Sequence, residues 1–212
     1  MNQLILEDLS KTIQGRTVLD QIDLTMQSGK IYGLVGKNGS GKTMLLRCIS
    51  GMVHPTKGRI RWNDKVLYRD MDCIESVGLL LETIGLYPEF TGFENLKLLA
   101  GIRSRIGDEE IREAIRQVGL DPADTRTVKK YSLGMKQKIV LAQAFMEQPE
   151  LLMLDEPTNA LDEASVIRTR ERIKESAERG AIVLLASHNK EDIASLCDET
   201  YFMEEGKLSA MR

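Results

Sequence analysis

The sequence predicts an α/β fold with a parallel sheet covered on both faces, and three observations carry that reading. Four short apolar runs, IYGLVG at 31–36, VGLLL at 77–81, LLMLD at 151–155 and AIVLLAS at 181–187, are too continuous for strands with one wet face. Segments with helical spacing of apolar residues lie between them, which is the alternation that builds a parallel sheet. From about Glu94 to Glu147 that alternation stops, and the spacing is helical with hardly a strand signal, as in IREAIRQVGL and KQKIVLAQAF.

In chain order, residues 3–36 read as strands. LILEDL is followed by VLDQIDLTM, with apolar Leu19, Ile22, Leu24 and Met26, and then by the first buried run. A helix is expected at about 42–50 and a strand around Gly58–Trp62, then the run at 77–81 and the helical block. Strand and helix then alternate through LLMLD, EASVIRTRERIKESAER, AIVLLAS, a short helix from Lys190 and a last strand near Tyr201–Glu204.

With 212 residues, 42% hydrophobic and 29% charged, the chain can bury one large core or two joined lobes. A formal charge of −3 and a pI near 5.6 give no general attraction to nucleic acid or an anionic membrane surface. No apolar run approaches the ~20 residues needed to span a bilayer, and the N-terminus has no leader pattern, so a cytoplasmic chain is expected whose membrane contact comes through a protein partner. Cys48, Cys73 and Cys197 are odd in number and widely spaced, which predicts reduced, mostly packing thiols. Trp62, most methionines and His54, in a turn, are expected to be structural. The basic cluster Arg126, Lys129, Lys130, Lys136 and Lys138 has only Tyr131 among it as a stacking platform, so it reads as a solvated face and not as an RNA site.

Chemistry enters at Gly36-Lys37-Asn38-Gly39-Ser40-Gly41-Lys42-Thr43. This stretch fits G-x-x-x-x-G-K-[ST] between an apolar strand and a helix, the arrangement of a phosphate-binding P-loop. Glycines let backbone N–H groups turn inward around phosphates, and the helix N-terminus adds partial positive charge. Lys42 supplies a point charge and Thr43 a hydroxyl for Mg²⁺. Downstream, LLML ends in Asp155-Glu156, placing two acids where a buried strand emerges, the usual ligand position of an open α/β sheet. Asp155 is the candidate Mg²⁺ ligand and Glu156 the general base that polarises an attacking water.

A P-loop does not distinguish among NTPase families, but other positions do. Tyr131-Ser132-Leu133-Gly134-Met135-Lys136-Gln137, ahead of a helix and LLMLDEP, resembles the signature motif of ABC (ATP-binding cassette) ATPases, normally LSGGQ. Thr158-Asn159-Ala160-Leu161-Asp162 resembles their D-loop, and His188, after AIVLLAS, their switch histidine. Order and spacing match over essentially the whole chain, and the variant spellings look most like the bacitracin and lantibiotic export and self-immunity group.

The resemblance implies a P-loop NTPase (RecA-like) core, residues 1–83 and 149–212, interrupted by a helical lobe at 84–148. It implies ATP and Mg²⁺ as ligands, and a homodimer, or a heterodimer with a paralogous subunit. In that dimer Ser132 and Gly134 of one chain face the P-loop of the other, Asp162 belongs to the nucleotide interface, and His188 contacts the γ-phosphate. It also implies an integral membrane permease docked near Glu82 and Leu86–Glu94. The chain would then sit peripherally on the inner face of the cell membrane, without a nucleic-acid partner.

Three features depart from the family pattern. Ile13 stands where an aromatic often stacks on adenine. Glu82 replaces the usual glutamine, as in the bacitracin and lantibiotic group, and becomes a candidate ligand of Mg²⁺ or water near the nucleotide. Leu133 and Met135 replace a glycine and a glutamine of the signature. A soluble family member acting on DNA or ribosomes would be expected to carry a coiled-coil insertion, zinc modules or a second cassette, and this sequence has none of them. Lys42, Asp155, Glu156 and His188 together argue for a hydrolysing subunit over one that only binds nucleotide.

Overall fold

The structure is a computed structural model that describes residues 1–81 and 85–211. Its strands form two sheets. The first sheet is antiparallel, in the order β2-β1-β4-β5, from β1 (Gln3–Ile13), β2 (Arg16–Gln27), β4 (Lys57–Trp62) and β5 (Lys65–Val66). The second has six strands. Its order is β10-β9-β3-β8-β7-β6, from β3 (Ile31–Val35), β6 (Val77–Leu80), β7 (Leu151–Asp155), β8 (Ile182–Ala186), β9 (Glu199–Glu204) and β10 (Lys207–Ala210). Pairing from β6 across to β9 is parallel, and only β10 runs against its neighbour.

The alternation of side chains along the parallel strands splits the core in two. Leu152, Leu154, Val183 and Leu185 point to one face and pack on helices, among them α2 (Gly92–Arg103), α3 (Asp108–Gln117), α4 (Leu133–Phe145) and α5 (Glu163–Glu178). Leu151, Met153, Ile182, Leu184 and Ala186 point to the other face. There they meet α1 (Lys42–Ile49) and the apolar side of the antiparallel sheet, including Leu4, Leu6, Leu19, Ile22 and Trp62. The sheet is therefore covered on both faces, as expected, but one cover is largely a second sheet. That sheet was legible only as a β-rich opening. The step of three from Leu19 to Ile22 breaks the period of two, and the structure explains it by register shifts between β1 and β2, with Asp8 and Gln21 at positive φ.

Strands β5 and β10 went unpredicted, because neither contains an apolar run; β10 is KLSA with one half-buried leucine. In the middle block α2 begins at Gly92, two residues before Glu94, and it starts there for a local reason. Thr91 Oγ1 accepts from the Glu94 N–H while Glu94 Oε2 accepts from the Thr91 N–H, a reciprocal cap that holds the Glu94 carboxyl below its usual range. Buried Asn95 then ties the preceding segment down: its amide accepts from the Tyr87 N–H at 2.7 Å and donates to the carbonyls of Tyr87 and Thr91.

Cys48 is buried and Cys197 half-buried, and burial pushes their thiols up to about 11 and about 12. Cys73 is exposed, so packing accounts for two of the three thiols. Arg126 pairs with Asp124 and Lys129 with Glu89, both on the surface, whereas Lys138 is mostly covered and pairs with Asp162. His54 stacks on Tyr68 with ring centroids 3.6 Å apart. Among the described residues no helix is long and apolar enough to cross a membrane.

Candidate functional site

The C-terminal ends of β3 and β7 are neighbours across β8, so the loop after Val35 and the acids after Leu154 emerge on the same edge of the sheet. Residues 36–41 form that loop, and α1 starts at Lys42. Gly39 and Gly41 have φ of 79° and 116°, a region open to glycine but costly for other residues. A side chain at Gly36 would meet the Met203 carbonyl at 2.3 Å, so only glycine lets the loop pass this close to β9.

Lys42 is buried, and its ammonium donates to the carbonyls of Gly36 at 2.7 Å and Lys37 at 3.2 Å, curling the loop around its own lysine. Thr43 Oγ1 donates to Asp155 Oδ2 at 2.5 Å. A hydroxyl and a carboxylate held at that distance beside the loop are hard oxygen donors, which fits a site for Mg²⁺.

Glu156 follows with φ 51°, turning its side chain away from that of Asp155. Its N–H donates to the Ala186 carbonyl, which extends the parallel pairing by one residue. The Glu156 carboxylate is received by the residues after β8: Oε1 accepts from the His188 backbone N–H at 3.0 Å and lies 2.7 Å from His188 Nδ1, while the Ser187 hydroxyl is 3.4 Å from Oε2. Glu156 lines a cavity of about 280 Å³ together with Asn38, Gly39, Gly41, Lys42, Thr43 and Asp155, and also with Val18, Met44 and Arg47.

Of the residues expected around a nucleotide, Gly36 to Thr43, Asp155, Glu156 and His188 come together here. Ile13 does not line the cavity. It closes β1 at a hairpin tip, 40% exposed, and the wall of the cavity from β2 is Val18. Ser132 caps α4, accepting from the Met135 N–H, and Gly134 lies against the Ala160 carbonyl, where a Cβ would come within 2.7 Å. Neither lines the cavity of its own chain. Asp162 caps α5 through the Ser165 N–H and hydroxyl and pairs with Lys138 at 3.0 Å; these contacts hold its carboxyl far below the usual range. Glu82 lies outside the described residues.

Sequence reasoning missed Val18, Met44 and Arg47, which carry no motif signal beyond proximity to the loop. It named Gln137 within the signature-like stretch but gave it no role; its buried side-chain amide donates to the Pro157 carbonyl at 3.3 Å and approaches the Glu156 carbonyl at 3.5 Å, fixing α4 to the segment that bears the acid pair. The order signature helix, strand, acid pair hinted at that contact, but spacing alone does not reveal it.

The family described as ABC transporter matches residues 19–159. The chain is 46% identical over 201 residues to the uncharacterized ABC transporter ATP-binding protein YybJ of Bacillus subtilis (strain 168), covering 95% of this chain and 92% of that protein. It is 37% identical to the bacitracin transport ATP-binding protein BcrA of Enterococcus faecalis, over 95% of this chain and 66% of that one. To the lantibiotic transport ATP-binding protein SrtF of Streptococcus pyogenes it is 32% identical, over 97% and 88%. Among solved structures, an ATP-binding subunit of an ABC transporter superposes with a TM-score of 0.86 at 28% identity, over 98% of this chain and 90% of that one. A dimeric bacterial ABC transporter cassette has the same fold, with a TM-score of 0.87 at 20% identity over 99% of both chains. The chain belongs to the ABC transporter family, as one of its ATPase cassettes, with the P-loop NTPase fold of that family.

Proposed function

We propose that two copies of this chain, or one copy and a paralogous subunit, close around two ATP molecules and hydrolyse them to drive a separate membrane-spanning permease. The observation that carries this reading is the contact of Thr43 Oγ1 with Asp155 Oδ2 beside the P-loop, with the Glu156–His188 pair on the next residue of the same strand end. On this reading Lys42 exchanges the Gly36 and Lys37 carbonyls for the β- and γ-phosphates, and the N–H groups of residues 37–43 cradle them. Thr43 and Asp155 would hold Mg²⁺. That ion would neutralise phosphate charge when bound.

Glu156 takes the proton of the attacking water, and His188 keeps its carboxylate aimed and reaches the γ-phosphate side. Ser132 and Gly134 lie away from their own chain's cavity, which suits a role at the second subunit's nucleotide; Asp162 would lie at that same interface. The lobes are assigned as an α/β core at 1–83 and 149–212 and a helical lobe at 84–148. ATP binding would be converted into work by a shift between open and closed dimers.

The permease is assigned to Glu82 and the segment Leu86–Glu94. Within that segment Tyr87 and Phe90 stand exposed, with ring centroids 5.7 Å apart, on a backbone pinned by Asn95. Rigid exposed aromatics of this kind suit an interface. Similarity to bacitracin and lantibiotic transport proteins supports export of, or self-protection against, a peptide antibiotic, with the chain held at the cytoplasmic face through the permease. The test is affinity purification from detergent-solubilised membranes. A stoichiometric multi-spanning partner is expected, and a chain that purifies alone from the cells that naturally produce it would contradict the transporter reading.

A further inference from the structure

A carboxylate taken wholly out of water must be compensated by hydrogen bonds, or it costs several kcal/mol. Asp192, on the helix α6 (Lys190–Leu196), is fully buried, and it is compensated from two other elements. Its Oδ2 accepts from the Thr158 hydroxyl at 2.6 Å, and its Oδ1 accepts from Nε of Arg170, on α5, at 2.8 Å and lies 2.7 Å from Nη2 of the same guanidinium. Thr158 is two residues beyond Glu156, and Asp192 four beyond His188. The two chain segments that present Glu156 and His188 are thus joined twice, at the site by the carboxylate–imidazole contact and behind it by the Asp192 hub.

The need for the second joint is visible in the first. Glu156 sits at φ 51°, a backbone conformation that a glutamate adopts only when its surroundings impose it. The Gln137 amide grips the following peptide from one side, and the Thr158–Asp192 bond anchors the other. We propose that Asp192, with Arg170 and Thr158, is a positioning centre for hydrolysis: it sets the register between the Glu156 loop and the His188 turn without touching nucleotide. This inference rests on the reading of Glu156 as the general base. It assigns a role to Asp192 and Arg170, which none of the motifs includes, and to Thr158 at the start of the D-loop-like segment.

The mild probe is Thr158→Val, which keeps the shape of the side chain and removes only the donor; Thr158→Ser restores the donor, and Asp192→Asn removes the buried charge. Steady-state ATPase of the full chain is measured with Glu156→Gln in parallel. The ¹⁵N signals of the two histidines are recorded, with His54 as internal reference because it stacks far along the chain from the hub.

Thr158→Val is expected to lose on the order of tenfold in kcat with KM for ATP within about twofold, and to shift the His188 signal but not that of His54. Thr158→Ser should return both kcat and the His188 signal to wild type. Wild-type kcat in Thr158→Val, a loss that Thr158→Ser shares, or a loss with an unmoved His188 signal would each overturn the proposal. An active Glu156→Gln variant would instead overturn the assignment of the base, so the two failures are separable.

Discussion

His188 and Glu156 meet twice at one oxygen: Glu156 Oε1 accepts the His188 backbone N–H at 3.0 Å and lies 2.7 Å from the imidazole Nδ1. The strand ends of β7 and β8 are adjacent, so sheet register brings two residues far apart in the chain close to one another. The imidazole remains 65% exposed, so its contact with Glu156 is not a burial requirement of the core.

Replacing the imidazole should therefore harm turnover and spare the fold. His188→Ala keeps the backbone donor but removes the side-chain contact, leaving the carboxylate free to rotate. A kcat loss of about tenfold or more is expected, with nucleotide binding, measured by equilibrium dialysis of labelled ATP, within a few-fold of wild type. Equal losses in binding and turnover would place His188 in ground-state recognition instead.

Base discrimination should be weak. Val18 lines the cavity with methyl groups, no aromatic ring lines it among the described residues, and Ile13 stands apart at an exposed hairpin tip. Phosphate contacts do not involve the base, so GTP should be hydrolysed within roughly tenfold of ATP, a gap of ~1.4 kcal/mol in transition-state free energy. A hundredfold preference for ATP would show that another group reads adenine.

Much of this site was legible because its chemistry is written in contiguous stretches. The P-loop, the acid pair and the buried strands need local spacing only, and Asn38, Gly39, Gly41, Lys42, Thr43, Asp155 and Glu156 line one cavity. What escaped was set by distant packing. The fold of residues 3–27 and 57–66 into a separate sheet depends on a bulged register between β1 and β2, which hides the period of two. The grip of Gln137 on the Glu156 loop and the Thr158–Asp192–Arg170 cluster join residues 19 to 34 positions apart, and no one-dimensional pattern marks such pairs.

Asp162 gives a pH-dependent prediction. The Lys138 ammonium and the Ser165 donors hold its carboxyl well below the usual carboxylate range, so the folded state binds this proton less readily than the unfolded state. A depressed folded value means that stabilisation is present above the unfolded value, about 3.9, and is lost as pH falls toward the folded one. Asp162→Asn should accordingly lower the urea midpoint at pH 7, and the difference from wild type should shrink between about pH 5 and pH 2. A difference that stays constant with pH would assign the effect to helix capping without charge.

The central claim, that Glu156 is the base of an ATPase built on Lys42, Thr43 and Asp155, is tested most directly by Glu156→Gln. The amide keeps the shape of the carboxylate but cannot take a proton from water. Phosphate release and the elution volume of the purified chain are measured together, with and without ATP and Mg²⁺. Turnover is expected to fall at least a hundredfold, with ATP-dependent dimers that persist through size-exclusion chromatography. Phosphate release at the wild-type rate from the variant would contradict the claim.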